Sequence, residues 1–126
     1  MARRKPRPLR TLTIFFVLVA LSYGLVAVAA AAASANLASD PAAQRAMGGA
    51  VQMNGWHALA LLTCALVGGG WLTHAAAGAF ALGALLFCGT VYAGQFGLRL
   101  GVPSAPVGGT LLMLGWALLG VSVLRR

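Results

Sequence analysis

Residues 50–74 read AVQMNGWHALALLTCALVGGGWLTH. The run from Ala50 to Val67 carries no charged side chain, and its length is close to the roughly 20 residues a helix needs to cross about 30 Å of hydrocarbon. Three glycines then permit a tight reversal, and a second apolar run follows, with Trp71 and His74 expected at the membrane surface. A hairpin of two membrane-spanning helices is the simplest structure for such a stretch.

The rest of the chain repeats the pattern. Leu12–Ala35, Ala75–Phe96 and Ala105–Leu124 are further apolar stretches of spanning length. In lipid a backbone must satisfy its own hydrogen bonds, and runs this long, without the alternation of barrel strands, leave only helices. The expected fold is an all-α, polytopic membrane protein: a single domain over 1–126 with four transmembrane helices in a compact bundle, at about 11–35, 42–68, 73–97 and 105–124. Residues 1–10 form a basic tail. With 60% hydrophobic and 8% charged residues, and a mean hydropathy of +0.89, the composition is not that of a soluble domain.

Nine Lys and Arg against one acid, Asp40, give a formal charge of +8. Such a surplus can signal nucleic acid, but here Arg3, Arg4, Lys5, Arg7 and Arg10 precede the first apolar run, and Arg125 and Arg126 follow the last. They flank the spans, and no RNA motif or helix-turn-helix spacing accompanies them, so nucleic-acid binding is not expected. Only Arg45 and Arg99 lie on the other side of the alternating spans. The positive-inside rule therefore predicts both termini in the cytoplasm. The N-terminal stretch also has features of a signal peptide, with Ala31–Ala35 as a cleavage site. Its apolar part is longer than such a peptide needs, so retention as an anchor is the expectation.

Helix starts can be read from the connections. Ser39 or Asp40 can cap the second helix, with Pro41 in its first turn, so that QRAMGGAVQ (44–52) is already helical and its first turns lie in the interface. Ser104 is expected to cap the fourth helix, with Pro106 in its first turn.

Helices in lipid associate by close packing of small residues. Ala75, Ala79 and Gly83 recur at four-residue spacing on the third helix, and Gly108, Gly109 and Gly115 line the fourth. In the first helix Ala29–Ala33 form a thin cylinder, while Phe15, Phe16, Leu18 and Leu21 can face lipid. These residues fit a tight bundle, or one face left for a second copy; internal packing is the favoured use.

Polar residues within the spans are few. Asn54, His57 and Cys64 share one side of the second helix, and His57, Asn54 and Tyr92 form a candidate polar cluster on the outer side. A membrane-buried histidine is expensive and often functional. The plainer expectation is a neutral imidazole hydrogen-bonded to Asn54, Gln52 or a carbonyl. His57 and Cys64 are about 10 Å apart by the helical rise, too far to share a metal whose ligand bonds are about 2 Å. No metal or other cofactor is expected. The spans contain no Asp, Glu, Lys or Arg, which argues against an ion-coupled transporter, and no catalytic motif is present. Cys64 and Cys88 lie in apolar runs, where thiols stay reduced.

Three segments carry a family resemblance: NGWHALA (54–60), FCGTVY (87–92), and PVGG (106–109) followed by LGW (114–116). In this order and spacing they are similar to the "YQxxHxLA", "FSGSLY" and "TPxGG…GW" segments of the YgdD-like family of small bacterial inner-membrane proteins, which has small eukaryotic transmembrane relatives. The match covers Asn36–Leu124. It departs at Met53, Asn54 and Cys88, where the family tends to have Tyr, Gln and Ser. It departs again at AAASAN (31–36), where Asn36 replaces the histidine of the family's "GAFGAH". The resemblance implies a four-helix bacterial inner-membrane protein and brings no activity.

From these features the chain is expected to be no enzyme. It is expected to be a structural or accessory subunit of a membrane assembly, with the lipid bilayer and either a membrane-protein complex or a second copy as partners. The alternative is a small transporter or binder of an apolar ligand, a lipid or quinone, with a polar outer-side pocket around His57.

Overall fold

The computed structural model describes residues 7–37, 40–101 and 103–125. Its four helices are α1 (Arg7–Leu37), α2 (Pro41–Val67), α3 (Trp71–Gln95) and α4 (Ser104–Leu124), each long and apolar enough to cross a membrane. Asp40 caps α2, its carboxylate accepting from the Ala43 N–H at 2.8 Å with Pro41 in the first turn. Ser39 lies outside the described residues.

Ser104 does not cap α4. It is the first helical residue, Pro103 takes the cap position without a side-chain bond, and the Ser104 hydroxyl instead meets Thr90 Oγ1 of α3 at 2.6 Å. Thr90 gives its one proton to the Leu86 carbonyl, so Ser104 is the donor in that pair. A serine at a helix start can serve its own backbone or a neighbouring helix, and here the half-buried threonine opposite it takes precedence.

Consecutive helices pack against one another, α3 most extensively on α4 and α1 on α2, with a lighter contact between α1 and α3. Helices α2 and α3 form the interior, where Leu61 and Phe80 are wholly enclosed among Ala60, Ala65, Ala76, Ala77 and Ala84. Phe15, Leu18 and Leu21 face outward, but Phe16 turns into this core. The α2–α3 reversal uses left-handed backbone at Gly68 (φ 69°) and Gly69 (φ 152°), a region that side chains disfavour.

The tightest approach is between α3 and α4. A Cβ on Gly108 would lie 2.5 Å from the Phe87 nitrogen and 2.7 Å from the Gly83 carbonyl oxygen, and one on Gly83 would lie 2.9 Å from the Gly108 carbonyl oxygen. Backbone meets backbone, and neither side can yield. Gly109 has only ordinary contact with Phe87. Ala75 and Ala79 are half-buried beside this seam, and the packed side of α3 runs through Ala76, Phe80, Gly83 and Ala84.

Gly108→Leu is therefore expected to lower stability by about 1–3 kcal/mol or more through overpacking. Gly120→Ala, with open space around the added carbon, should melt like the native chain. Thermal unfolding in detergent, followed by size-exclusion chromatography, separates the two.

Candidate functional site

Three residues from three helices meet at one depth. His57 lies ten residues before Val67 at the end of α2, Phe80 nine after Trp71 at the start of α3, and Trp116 nine before Arg125 beyond α4. At 1.5 Å per residue each is about 13–15 Å from the face carrying the α2–α3 turn, near the middle of a hydrocarbon layer about 30 Å thick.

His57 is 4% exposed. Its Nδ1 is 2.7 Å from the Met53 carbonyl oxygen one turn earlier, and its Nε2 is 3.2 Å from Trp116 Nε1. An indole N–H can only donate and a carbonyl can only accept. The ring consequently donates from Nδ1, accepts at Nε2, and is held as the neutral Nδ1–H tautomer. Both nitrogens are satisfied within the bundle.

Aromatic rings close around this pair. Phe80 lies 5.6 Å from the imidazole and 5.2 Å from the indole, centroid to centroid, the latter edge-to-face at 67°, an arrangement that the ring quadrupoles favour. Room for Phe80 comes from Gly115, where a Cβ would sit 2.6 Å from two of its ring carbons. The glycine and tryptophan of LGW (114–116) thus have separate tasks: one admits Phe80, the other holds His57.

The expected cluster of His57, Asn54 and Tyr92 divides. Asn54 is buried and gives its Nδ2–H to the Tyr92 hydroxyl at a long 3.4 Å, whereas His57 pairs with Met53 and Trp116. Three more residues of FCGTVY meet neighbouring helices: Phe87 lies over Gly108, Cys88 gives a weak bond to the Ala50 carbonyl at 3.4 Å, and Thr90 meets Ser104. Cys64 and Cys88 are free buried thiols. Among the described residues no group of three His, Cys, Asp or Glu is placed to hold a metal, and Thr73 Oγ1 is buried without a partner.

Two cavities among the described residues lie elsewhere. The larger, about 720 Å³, is a groove between Phe15–Tyr23 of α1 and Gly78–Leu85 of α3. A second, about 300 Å³, lies among Ala29, Ala30 and Ala33 of α1, Met47 of α2, and Tyr92 and Gln95 of α3. Neither is lined by His57 or Asn54.

Sequence reading missed Trp116 as the histidine's partner and Tyr23 as a link between helices. The Tyr23 hydroxyl donates to the Ala81 carbonyl of α3 at 2.6 Å. Both had a signal. His57 and Trp116 stand almost equally far from the ends of α2 and α4, and a tyrosine deep in an apolar run needs an acceptor.

Fold and site together define a polytopic four-helix bundle tied by interhelical hydrogen bonds. The model of DUF423, a family described as of unknown function, matches residues 25–109, and the chain belongs to this family. No curated protein and no solved structure matches it.

Trp116→Phe keeps the ring but leaves His57 Nε2 without a donor, and His57→Phe orphans the indole N–H. Each is expected to cost about 1–2 kcal/mol, and the double variant less than their sum. Unfolding midpoints of the four proteins in one detergent give the coupling. In ¹⁵N NMR, native His57 should carry its proton on Nδ1.

Proposed function

We propose that this chain is a non-enzymatic structural or accessory subunit of an assembly in the bacterial inner membrane, with both termini cytoplasmic. The observation that carries the reading is the state of His57, the histidine at mid-bundle. It is sealed among aromatic rings with both nitrogens bonded internally, and so offers no free base, nucleophile or ligand. Asn54, Tyr92, Thr90 and Ser104 are likewise turned on one another. What the bundle presents to its surroundings is broad apolar helix surface, including Leu21, Leu25 and Val28 of α1 and Met113 and Leu114 of α4.

A polar ligand pocket around His57 gains no support from this geometry, since neither His57 nor Asn54 lines either of the two cavities described above. Sidedness rests on charge. The face where α1 begins and α4 ends has seven Lys and Arg by sequence, against Arg45, Arg99 and Asp40 at the other, the bias expected for a cytoplasmic face.

Photo-crosslinkers at Leu25 and Leu114, with Leu61 as a buried control, test the assembly in native membranes. A discrete heavier species from either outward position, absent from the control, is expected; a lone monomer at both positions would overturn the reading. For sidedness, Gly101→Cys should react with a membrane-impermeant maleimide on intact cells, and Gly70→Cys only after permeabilisation.

A further inference from the structure

We infer that the groove between α1 and α3 seats an acyl chain of an anionic phospholipid, with the lipid phosphate held at the face where α1 begins. Helices α1 and α3 touch at two places, Phe16 with His74 at a ring separation of 6.3 Å and the Tyr23 hydroxyl with the Ala81 carbonyl. Seven residues separate the two contacts on each helix, about 10 Å of rise, so the helices run side by side in the same direction. Between the contacts stands Gly78, around which an added Cβ would meet nothing within 4 Å, and a trough of about 720 Å³ is left open.

The lining selects an apolar occupant. Phe15, Leu18, Leu82 and Leu85 are all at least half exposed along it. Its two hydroxyls are already engaged, Ser22 with the Leu18 carbonyl at 2.8 Å and Tyr23 with Ala81. A polar ligand would find no open partner there, whereas a hydrocarbon chain gives up none.

Charge selects the headgroup. Arg10 is exposed five residues before Phe15, about 7.5 Å beyond the groove toward the interface, and guanidinium groups suit phosphate oxygens. The sequence adds Arg3, Arg4, Lys5 and Arg7 ahead of it, and Arg125 at the end of α4 lies beside the α2–α3 turn on the same face. The chain's one acid, Asp40, caps α2 at the opposite face. Basic clusters beside transmembrane helices attract anionic lipids. The same charge disfavours a second copy docked in parallel, since it would bring another set of cations to this face.

Native mass spectrometry of the full chain in mild detergent tests the assignment, using phosphatidylglycerol, phosphatidylcholine of the same acyl chains, and glycerol phosphate as probes. Phosphatidylglycerol should bind about tenfold more tightly than phosphatidylcholine. Gly78→Leu should abolish that binding while leaving the unfolding midpoint at or above the native value, because the space is open and leucine is the better helix former. Arg10→Gln should weaken phosphatidylglycerol about fivefold and leave phosphatidylcholine unchanged. Equal binding of the two lipids, undiminished binding by a folded Gly78→Leu chain, or binding of glycerol phosphate alone would overturn it. So would a dimer that occupies the groove and is lost in Gly78→Leu.

Discussion

The contact between the backbones of Gly83 and Gly108 sets the geometry of everything above it. With no side chain on either residue, α3 and α4 approach until their backbones leave no room for a Cβ between them, and a helix pair in lipid gains most from such closeness because hydrocarbon offers no hydrophobic drive. Once α4 is fixed there, Gly115 two turns on falls opposite Phe80 and Trp116 is carried over His57. The aromatic cluster therefore follows from a steric fact at a different level of the bundle. The hydroxyl pair of Thr90 and Ser104 holds the same seam at its far end.

Hydrogen bonds distribute the remaining constraint. A polar atom left alone in hydrocarbon is costly, and several polar side chains within the described spans are used between helices: Tyr23 joins α1 to α3, Asn54 and Cys88 join α2 to α3, and His57 joins α2 to α4. The family's three sequence segments coincide with these contacts. NGWHALA supplies the amide and the imidazole, FCGTVY the amide's partner on α3, and PVGG with LGW the close approach and the indole that meets the imidazole. The segments that carry the resemblance thus serve, in this chain, largely to join its helices to one another.

The architecture was legible because apolar length alone names a transmembrane helix, and Asp40-Pro41 and the triple glycine have local meanings that need no partner. The contacts were less legible, for a geometric reason. Ala75, Ala79 and Gly83 satisfy four-residue spacing, but so do Ala76, Phe80 and Ala84 one position round, and only the neighbouring helix decides which row is packed. Ser104 looked like a cap because its service to Thr90 is set by a residue on another helix. His57 stood out as a polar residue in an apolar run that needs a hydrogen-bond partner. Its partner was missed because pairing with Trp116 depends on the rotation of α4, which the Gly83–Gly108 contact fixes and composition does not.

The bond between Trp116 and His57 has a meaning in time as well as in space. The imidazole enters the membrane with the second helix, and the indole that completes it belongs to the last. Without α4, Nε2 of His57 has no indole donor and Phe80 has no Gly115 to close over it, so a chain that lacks its last helix lacks a hydrogen bond on its second as well.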